Sequence, residues 1–310
     1  MSQKIAIIIP TYNRKLLLVE TVKSCLKQSN HTQLQMIICI VDDGSTDETD
    51  RCVAENFSNE KDVHFFKIEN SERGAARNYG AAFVKKLSPD WLLFLDSDDI
   101  LVENAFSKIA RYFSQDYDLI TGQFLLWDGE NTFGENRPKA PDESKLKDDP
   151  ISLFLDSSYI CICTTFIKAN IFYLSDGFSE NRIISGSEDW YYFVKIVENK
   201  KIYFTQTVIL YYRRYNGNTA ASQTQKAILE IQSELFPYWL SKYEQKKSKF
   251  YIQKCTLLHS LMIVGAYNNE KKYRISYEKL FTIIKQNPSS IFNFNFIKTL
   301  IFTVIKSLTG

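Results

Sequence analysis

Long apolar runs are missing from this chain of 310 residues. None reaches the roughly 18 residues that a membrane-spanning helix requires. Histidine is scarce: His31, His64 and His259 are scattered, without H-E-x-x-H spacing, which excludes a zinc site built from them. The six cysteines form no C-x-x-C pair and mostly sit in apolar runs. They read as reduced core thiols rather than disulfides or zinc ligands. A G-x-G-x-x-G turn, a phosphate-binding P-loop and a G-x-S-x-G elbow are all absent. That excludes dinucleotide binding of the usual kind and serine-hydrolase chemistry. Charge of one sign is absent too: a net charge of +2 implies no nucleic-acid partner. With 45% hydrophobic and 24% charged residues, the chain is folded rather than disordered.

The sequence does contain an alternation of strand and helix signals. Ile5–Pro10, Met36–Val41, Val63–Ile68 and Trp91–Leu95 are short apolar runs of buried-strand type. Between them, 14–28 has helical spacing with Leu18, Val22, Cys25 and Leu26 on one face. A second helix passes through Val53 and Phe57, with Thr46 and Asp47 as candidate caps, and a third spans Gly74–Leu87. The order βαβαβαβ predicts an α/β fold, a mostly parallel sheet flanked by helices. Asp128–Pro150 is polar and proline-bearing, a surface excursion near the active site or a mobile loop. Beyond it come Ile151–Leu155, a strand at Cys161–Ile167, a helix at Ser187–Glu198 and a strand at Ile202–Tyr212.

From about Ala227 the pattern becomes helical, which suggests a catalytic domain over 1–226 and a helical C-terminal extension over 227–310. Lys279, Lys285, Lys298 and Lys306 meet no acidic residue between Lys279 and Gly310, and Ile297, Leu300, Ile301, Val304, Ile305 and Leu308 recur at helical spacing. Two readings fit: a basic amphipathic helix on an anionic membrane surface, or a helix packed on the catalytic domain with its lysines in water. Met1–Lys4 runs directly into the first strand without a secretory h-region. The expected location is cytoplasmic, with peripheral contact on the inner face of the cell membrane as one option.

Ligands of open α/β sheets bind at the carboxyl ends of the strands. Those ends carry Pro10-Thr11-Tyr12-Asn13-Arg14, then Asp42-Asp43-Gly44-Ser45, then Arg73-Gly74-Ala75-Ala76-Arg77, then Asp96-Ser97-Asp98-Asp99. Carboxylates suit a divalent cation and arginines suit phosphate. Asp96 and Asp98, one residue apart at a strand end, can face one Mn²⁺ or Mg²⁺ together with substrate phosphates. Asp42 can accept a hydrogen bond from a nucleobase N–H or serve as a turn residue. Arg77, in an alanine-rich helix, needs an anionic partner if buried. Asp189 opens a helix, where an acid suits the macrodipole; it can also act as the general base that deprotonates a sugar hydroxyl. Gly186 would let an acceptor approach the backbone.

In this order, the Pro10–Arg14, Val41–Asp47, Gly74–Asn78, Asp96–Asp98 and Glu188–Trp190 motifs resemble glycosyltransferase family 2, over about the first 190 residues. The resemblance implies a GT-A fold, an inverting mechanism and a UDP-sugar donor. It assigns Pro10, Thr11, Tyr12, Arg14 and Asp42 to the base and ribose, and Arg77, Asp96 and Ser97 to the rest of the donor site. Asp96 and Asp98 become the metal residues and Asp189 the base. The family often places a histidine ligand after a late strand; here Tyr212-Arg213-Arg214-Tyr215 has tyrosine instead, with Arg213 or Arg214 as candidates to close over phosphates. The implied acceptor is a saccharide, in lipid-linked form, in O-antigen or capsule synthesis. An inactive nucleotide-sugar-binding relative and a nucleotidyltransferase are the alternatives. The latter carries a glycine- and lysine-rich first loop, and Pro10–Arg14 has no glycine.

Overall fold

The structure, a computed structural model, describes residues 3–29, 34–137, 160–214 and 248–309, with isolated positions between 236 and 244. Two compact units are present, one of residues 1–182 and 188–218, the other of 183–187 and 219–310.

In the first unit, β1 (Lys4–Thr11), α1 (Lys15–Ser29), β2 (Gln35–Asp42), α2 (Thr49–Phe57), β3 (Val63–Lys67), α3 (Glu72–Lys85) and β4 (Trp91–Phe94) alternate as the sequence predicts. The chain continues through β5 (Ile100–Leu101), α4 (Ala105–Ile109), β6 (Leu119–Trp127), β7 (Thr132–Arg137), β8 (Thr165–Lys168), α5 (Ala169–Tyr173), α6 (Glu188–Ile196) and β9 (Ile202–Arg213). The strands form one sheet in the order β3-β2-β1-β4-β8-β6-β9-β5, with β7 hydrogen-bonded to β6. From β3 to β4 the pairing is parallel; β8 joins antiparallel to both β4 and β6. This is the α/β architecture expected. The apolar runs of β1, β2 and β4 are buried almost throughout, as strands covered on both faces must be.

α1 buries more than its apolar face. Leu18, Val22 and Cys25 are fully buried, but so are Thr21 and Gln28. The Thr21 hydroxyl donates to the Asp99 carbonyl at 2.8 Å, and Ser24 Oγ accepts the Leu101 N–H at 3.0 Å. Gln28 donates to the Val102 carbonyl and accepts the Phe106 N–H, at 3.0 and 3.2 Å. A polar stripe on α1 therefore holds the segment that follows the Asp96–Asp99 turn.

Local expectations are corrected in three places. Asp47 does not cap α2; it accepts the Lys15 N–H at 3.1 Å, at the start of α1, and the Thr49 hydroxyl at 2.5 Å. Cys161–Ile167 is a strand only in its second half. The hydroxyls of Thr164 and Thr165 both bond the Cys161 carbonyl, at 3.2 and 2.7 Å, and favour a 3₁₀ turn over Ile162–Thr164. The polar stretch after Asp128 begins as a hairpin: the Asp128 carboxylate takes the N–H groups of Glu130 and Asn131 at 3.0 and 2.8 Å and turns β6 back into β7. The rest of that excursion, 138–150, Ile151–Leu155, Tyr215 and the boundary at 226/227 lie outside the described residues.

In the second unit α7 (Lys249–Asn269), α8 (Tyr273–Gln286) and α9 (Phe294–Thr309) share a core of Leu261, Val264, Leu280, Ile283 and Phe296. Asn268 donates to the Thr303 hydroxyl at 2.8 Å inside it. No helix among the described residues is long and apolar enough to cross a membrane.

Candidate active site

The first two strand-end loops are laced together. The Asn13 N–H bonds Ser45 Oγ at 2.9 Å, and its side-chain oxygen accepts the Thr46 N–H at 2.8 Å. Asp42, fully buried, accepts the Ser45 N–H at 2.8 Å on one oxygen. Its other oxygen has no hydrogen-bond partner; the Lys67 ammonium stands 3.7 Å away, too far for a hydrogen bond. The buried Thr11 hydroxyl is likewise unpartnered. Pro10 lies within β1, and the Tyr12 ring is half in solvent, 49% exposed. Asp43 accepts the Ser71 N–H at 2.7 Å, although burial outweighs that bond and raises its pKa.

The third and fourth loops meet at Arg77. Its side chain is 1% exposed, with one nitrogen 2.8 Å from Asp96 Oδ1 and another paired with Glu188. Burial alone would lower the guanidinium pKa, but Glu188 and then Asp96 overcome it and hold the charge firmly. Burial also works against ionised Asp96, and Arg77 and Arg73 reverse that, holding its pKa below the usual carboxylate range. Asp98 pairs with Arg14 at 2.8 Å, and Ser97 between the two aspartates is buried.

Gly74 permits this meeting. A Cβ there would stand 2.1 Å from the Ser179 carbonyl oxygen, an impossible contact. One turn along the helix, Asn78 clamps the same segment through the Phe178 carbonyl and N–H, both at 2.9 Å. Gly74→Ala is therefore expected to cost about 1–3 kcal/mol by overpacking, read as a lower urea midpoint at unchanged m-value. An unchanged midpoint would mean that α3 does not depend on this approach.

Asp189 sits half-buried in the first turn of α6, beside the Glu188 that grips Arg77. Its carboxylate accepts the Trp190 N–H at 2.7 Å. Burial, then the neighbouring Glu188, pushes its pKa up to about 6 despite Arg77. Gly186 has φ +89°, and a Cβ there would meet nothing within 4 Å among the described residues, so left-handed backbone, not crowding, explains glycine there.

Three features escape a reading of the sequence. Arg213, a candidate to close over phosphates, is held on the Asp98–Asp99 turn. Its N–H bonds Asp99 Oδ1 at 2.9 Å, its Nε the Asp98 carbonyl at 2.8 Å and its terminal nitrogen Glu20 at 2.5 Å, and its guanidinium carbon lies 4.6 Å from the centre of the Trp127 ring. Cys163, expected as an ordinary core thiol, brings its sulfur within 4.8 Å of carboxylate oxygens of Asp96 and Asp99. A hydrogen bond with Cys161 and burial raise its pKa, so it stays a thiol. Asp99 has one buried oxygen without a partner, and burial followed by Asp96 and Asp98 lifts its pKa well above normal. The second aspartate of the D-x-D pair thus faces Arg14, while the first faces Arg77 and this inner cluster. Carboxylate oxygens of Asp96 and Asp99 meet at this strand end and suit a hard divalent cation, while Asp98 stands outside that cluster on Arg14.

The sheet and its flanking helices have the GT-A fold of solved glycosyltransferases. The glycosyl transferase family 2 model matches residues 6–173, more than half of the chain, and the chain belongs to that family. It is similar to chondroitin synthase of Escherichia coli, 30% identical over 198 residues, which are 63% of this chain and 26% of that one. It also resembles the GalNAc(5)-diNAcBac-PP-undecaprenol beta-1,3-glucosyltransferase of Campylobacter jejuni, 29% identical over 124 residues, 40% of this chain and 38% of the other. The chain spans between about a quarter and a half of the length of the first curated relatives it matches. Among solved structures, S. aureus TarS 1-349 in complex with UDP matches its fold with a TM-score of 0.55 at 18% identity, over 93% of this chain and 75% of that one.

Proposed function

We propose that this glycosyltransferase moves a hexose or N-acetylhexosamine from a UDP-sugar to a hydroxyl of a lipid-linked saccharide, with inversion at the anomeric carbon. The setting is the cytoplasmic assembly of a bacterial surface polysaccharide such as O-antigen or capsule. The observation that carries the reading is the Arg77 bridge. It ties the strand-end Asp96 to Glu188 and so sets Asp189, a carboxylate with a raised pKa, at the edge where the donor loops converge. The UDP complex of a protein with the same fold supports the donor class, and the undecaprenol-linked acceptor in the name of the Campylobacter relative supports the acceptor class.

In this reading the catalytic domain is 1–226 and the extension 227–310. The unpartnered oxygens of Asp42 and Thr11 await the polar edge of the base, and the exposed Tyr12 ring offers it a flat face. Arg14 and Ser97 line the ribose and phosphate side. Mn²⁺ or Mg²⁺ held by Asp96 and Asp98 would neutralise the diphosphate leaving group. Ionised Asp189 takes the proton of the acceptor hydroxyl as that oxygen bonds to the anomeric carbon from the face opposite UDP, and the bond to the diphosphate oxygen breaks. Arg77 orients the base through Glu188 rather than touching substrate.

A panel of UDP-sugars tested for slow hydrolysis with Mn²⁺, Mg²⁺ or EDTA checks this. One donor is expected to dominate, and EDTA to abolish UDP release. Release undiminished by EDTA would remove Asp96 and Asp98 as metal residues. No release and no UDP binding would overturn the UDP-sugar donor and direct the panel to other nucleotides.

A further inference from the structure

α9 has two apolar faces. Phe296 and Leu300 meet the core of α7 and α8. On the other side Phe294, Ile297, Ile301, Val304, Ile305 and Leu308 stand in solvent, 38% to 81% exposed. At about 100° per residue these six fall within an arc of about 100°, opposite the buried Thr303. Isolated surface apolar residues are ordinary, but a continuous helical stripe of them marks a surface that something covers.

The charges around the stripe say what kind of surface it meets. No Asp or Glu occurs between Lys279 and Gly310, whereas Lys279, Lys285, Lys298 and Lys306 are all exposed. Lys298 borders the stripe, whereas Lys306 lies farther round, toward Thr303, with its ammonium 5.5 Å from the centre of the Phe302 ring. Long lysine stems can lie along apolar surface while their heads reach polar anions. The segment from Lys279 to Gly310 holds no acid with which a second copy on the same face could pair these lysines. At 16 residues, about 24 Å, α9 is too short to span a bilayer core of about 30 Å. We propose that α9 lies in the headgroup layer of an anionic phospholipid membrane, with the Phe294–Leu308 stripe in the acyl boundary and the lysines on lipid phosphates. This goes beyond the transfer reaction, since vesicle binding does not depend on which sugar is moved. Its consequence is that the enzyme stays where lipid-linked acceptors are.

Flotation of the full chain with vesicles tests it. Binding to phosphatidylglycerol–phosphatidylcholine vesicles is expected, falling with added salt, with far less on phosphatidylcholine alone. Lys298→Gln should weaken binding to anionic vesicles by about fivefold. Ile301→Glu with Ile305→Glu should abolish it; both side chains are already exposed, so circular dichroism and the thermal midpoint should be unchanged. The proposal is overturned if the parent does not float, if the glutamate variant floats equally well while folded, or if the parent forms a dimer that Ile301→Glu dissolves and binds no vesicle.

Discussion

Asp189→Asn is expected to lower kcat by about 10²–10⁴-fold, the range that a positioned general base supplies, while UDP affinity stays close to that of the parent. The asparagine keeps size and the hydrogen bond from the Trp190 N–H, but it cannot take up a proton. The pH profile gives a second reading. Burial and Glu188 raise the Asp189 pKa to about 6, and only the ionised form can accept a proton. Hence kcat/KM of the parent should rise with pH and level off above about 6, and this limb should be missing from the residual activity of the variant. The same shift has an opposite sign for stability. A carboxyl whose pKa is raised on folding contributes stability that is present below its unfolded value and is lost as pH rises through about 6. At neutral pH the ionised base is therefore a stability cost, and the asparagine variant should melt no lower than the parent. Unchanged turnover, or lost UDP binding together with a lowered midpoint, would make Asp189 a structural residue.

The parallel half of the sheet was legible because β1, β2 and β4 are unbroken apolar runs, a pattern that only strands covered on both faces sustain. The strand-end residues were legible as a set because four polar loops follow four such runs in order. Other features are made by long-range contacts that no local pattern reports. The hydroxyls of Thr21 and Ser24 lie off the apolar face that the helical spacing marks, yet they bind backbone of the 99–101 segment. Asp47 carried a good capping signal and was drawn instead to the Lys15 N–H, 32 residues earlier. Cys163 sat in an apolar run, and only the 3₁₀ turn before β8 brings it beside Asp96. Arg213 and Arg214 were alike candidates to close over phosphates, because sequence does not say where an arginine turns; Arg213, on β9 beside β5, turns onto Asp98 and Asp99.

Arg77→Met is expected to be the most destabilising single change in the first unit, by about 3–5 kcal/mol, the cost of removing one partner from a buried ion pair. Methionine fills a similar length, so little of the loss would come from a cavity. The loss arises because Glu188, with its side chain 3% exposed, and Asp96 keep their charges without the guanidinium that compensates them. Arg77→Lys should recover only part of it, because one ammonium cannot reproduce a fork that grips two carboxylates from different elements. Adding Glu188→Leu to Arg77→Met removes one stranded charge, so the double variant should be more stable than the sum of the single losses implies, by about 1 kcal/mol or more on the scale of couplings between residues in contact. The deficit of Arg77→Met should also shrink in acid, because Asp96, whose pKa the paired Arg77 holds down, can then bind a proton. Guanidinium titrations of the parent, Arg77→Met, Arg77→Lys, Glu188→Leu and the double variant at neutral and acid pH measure all three effects. If Arg77→Met unfolds at the parent midpoint, the bridge between Asp96 and Glu188 does not hold α6 in place, and the positioning of Asp189 must come from elsewhere in the sheet edge.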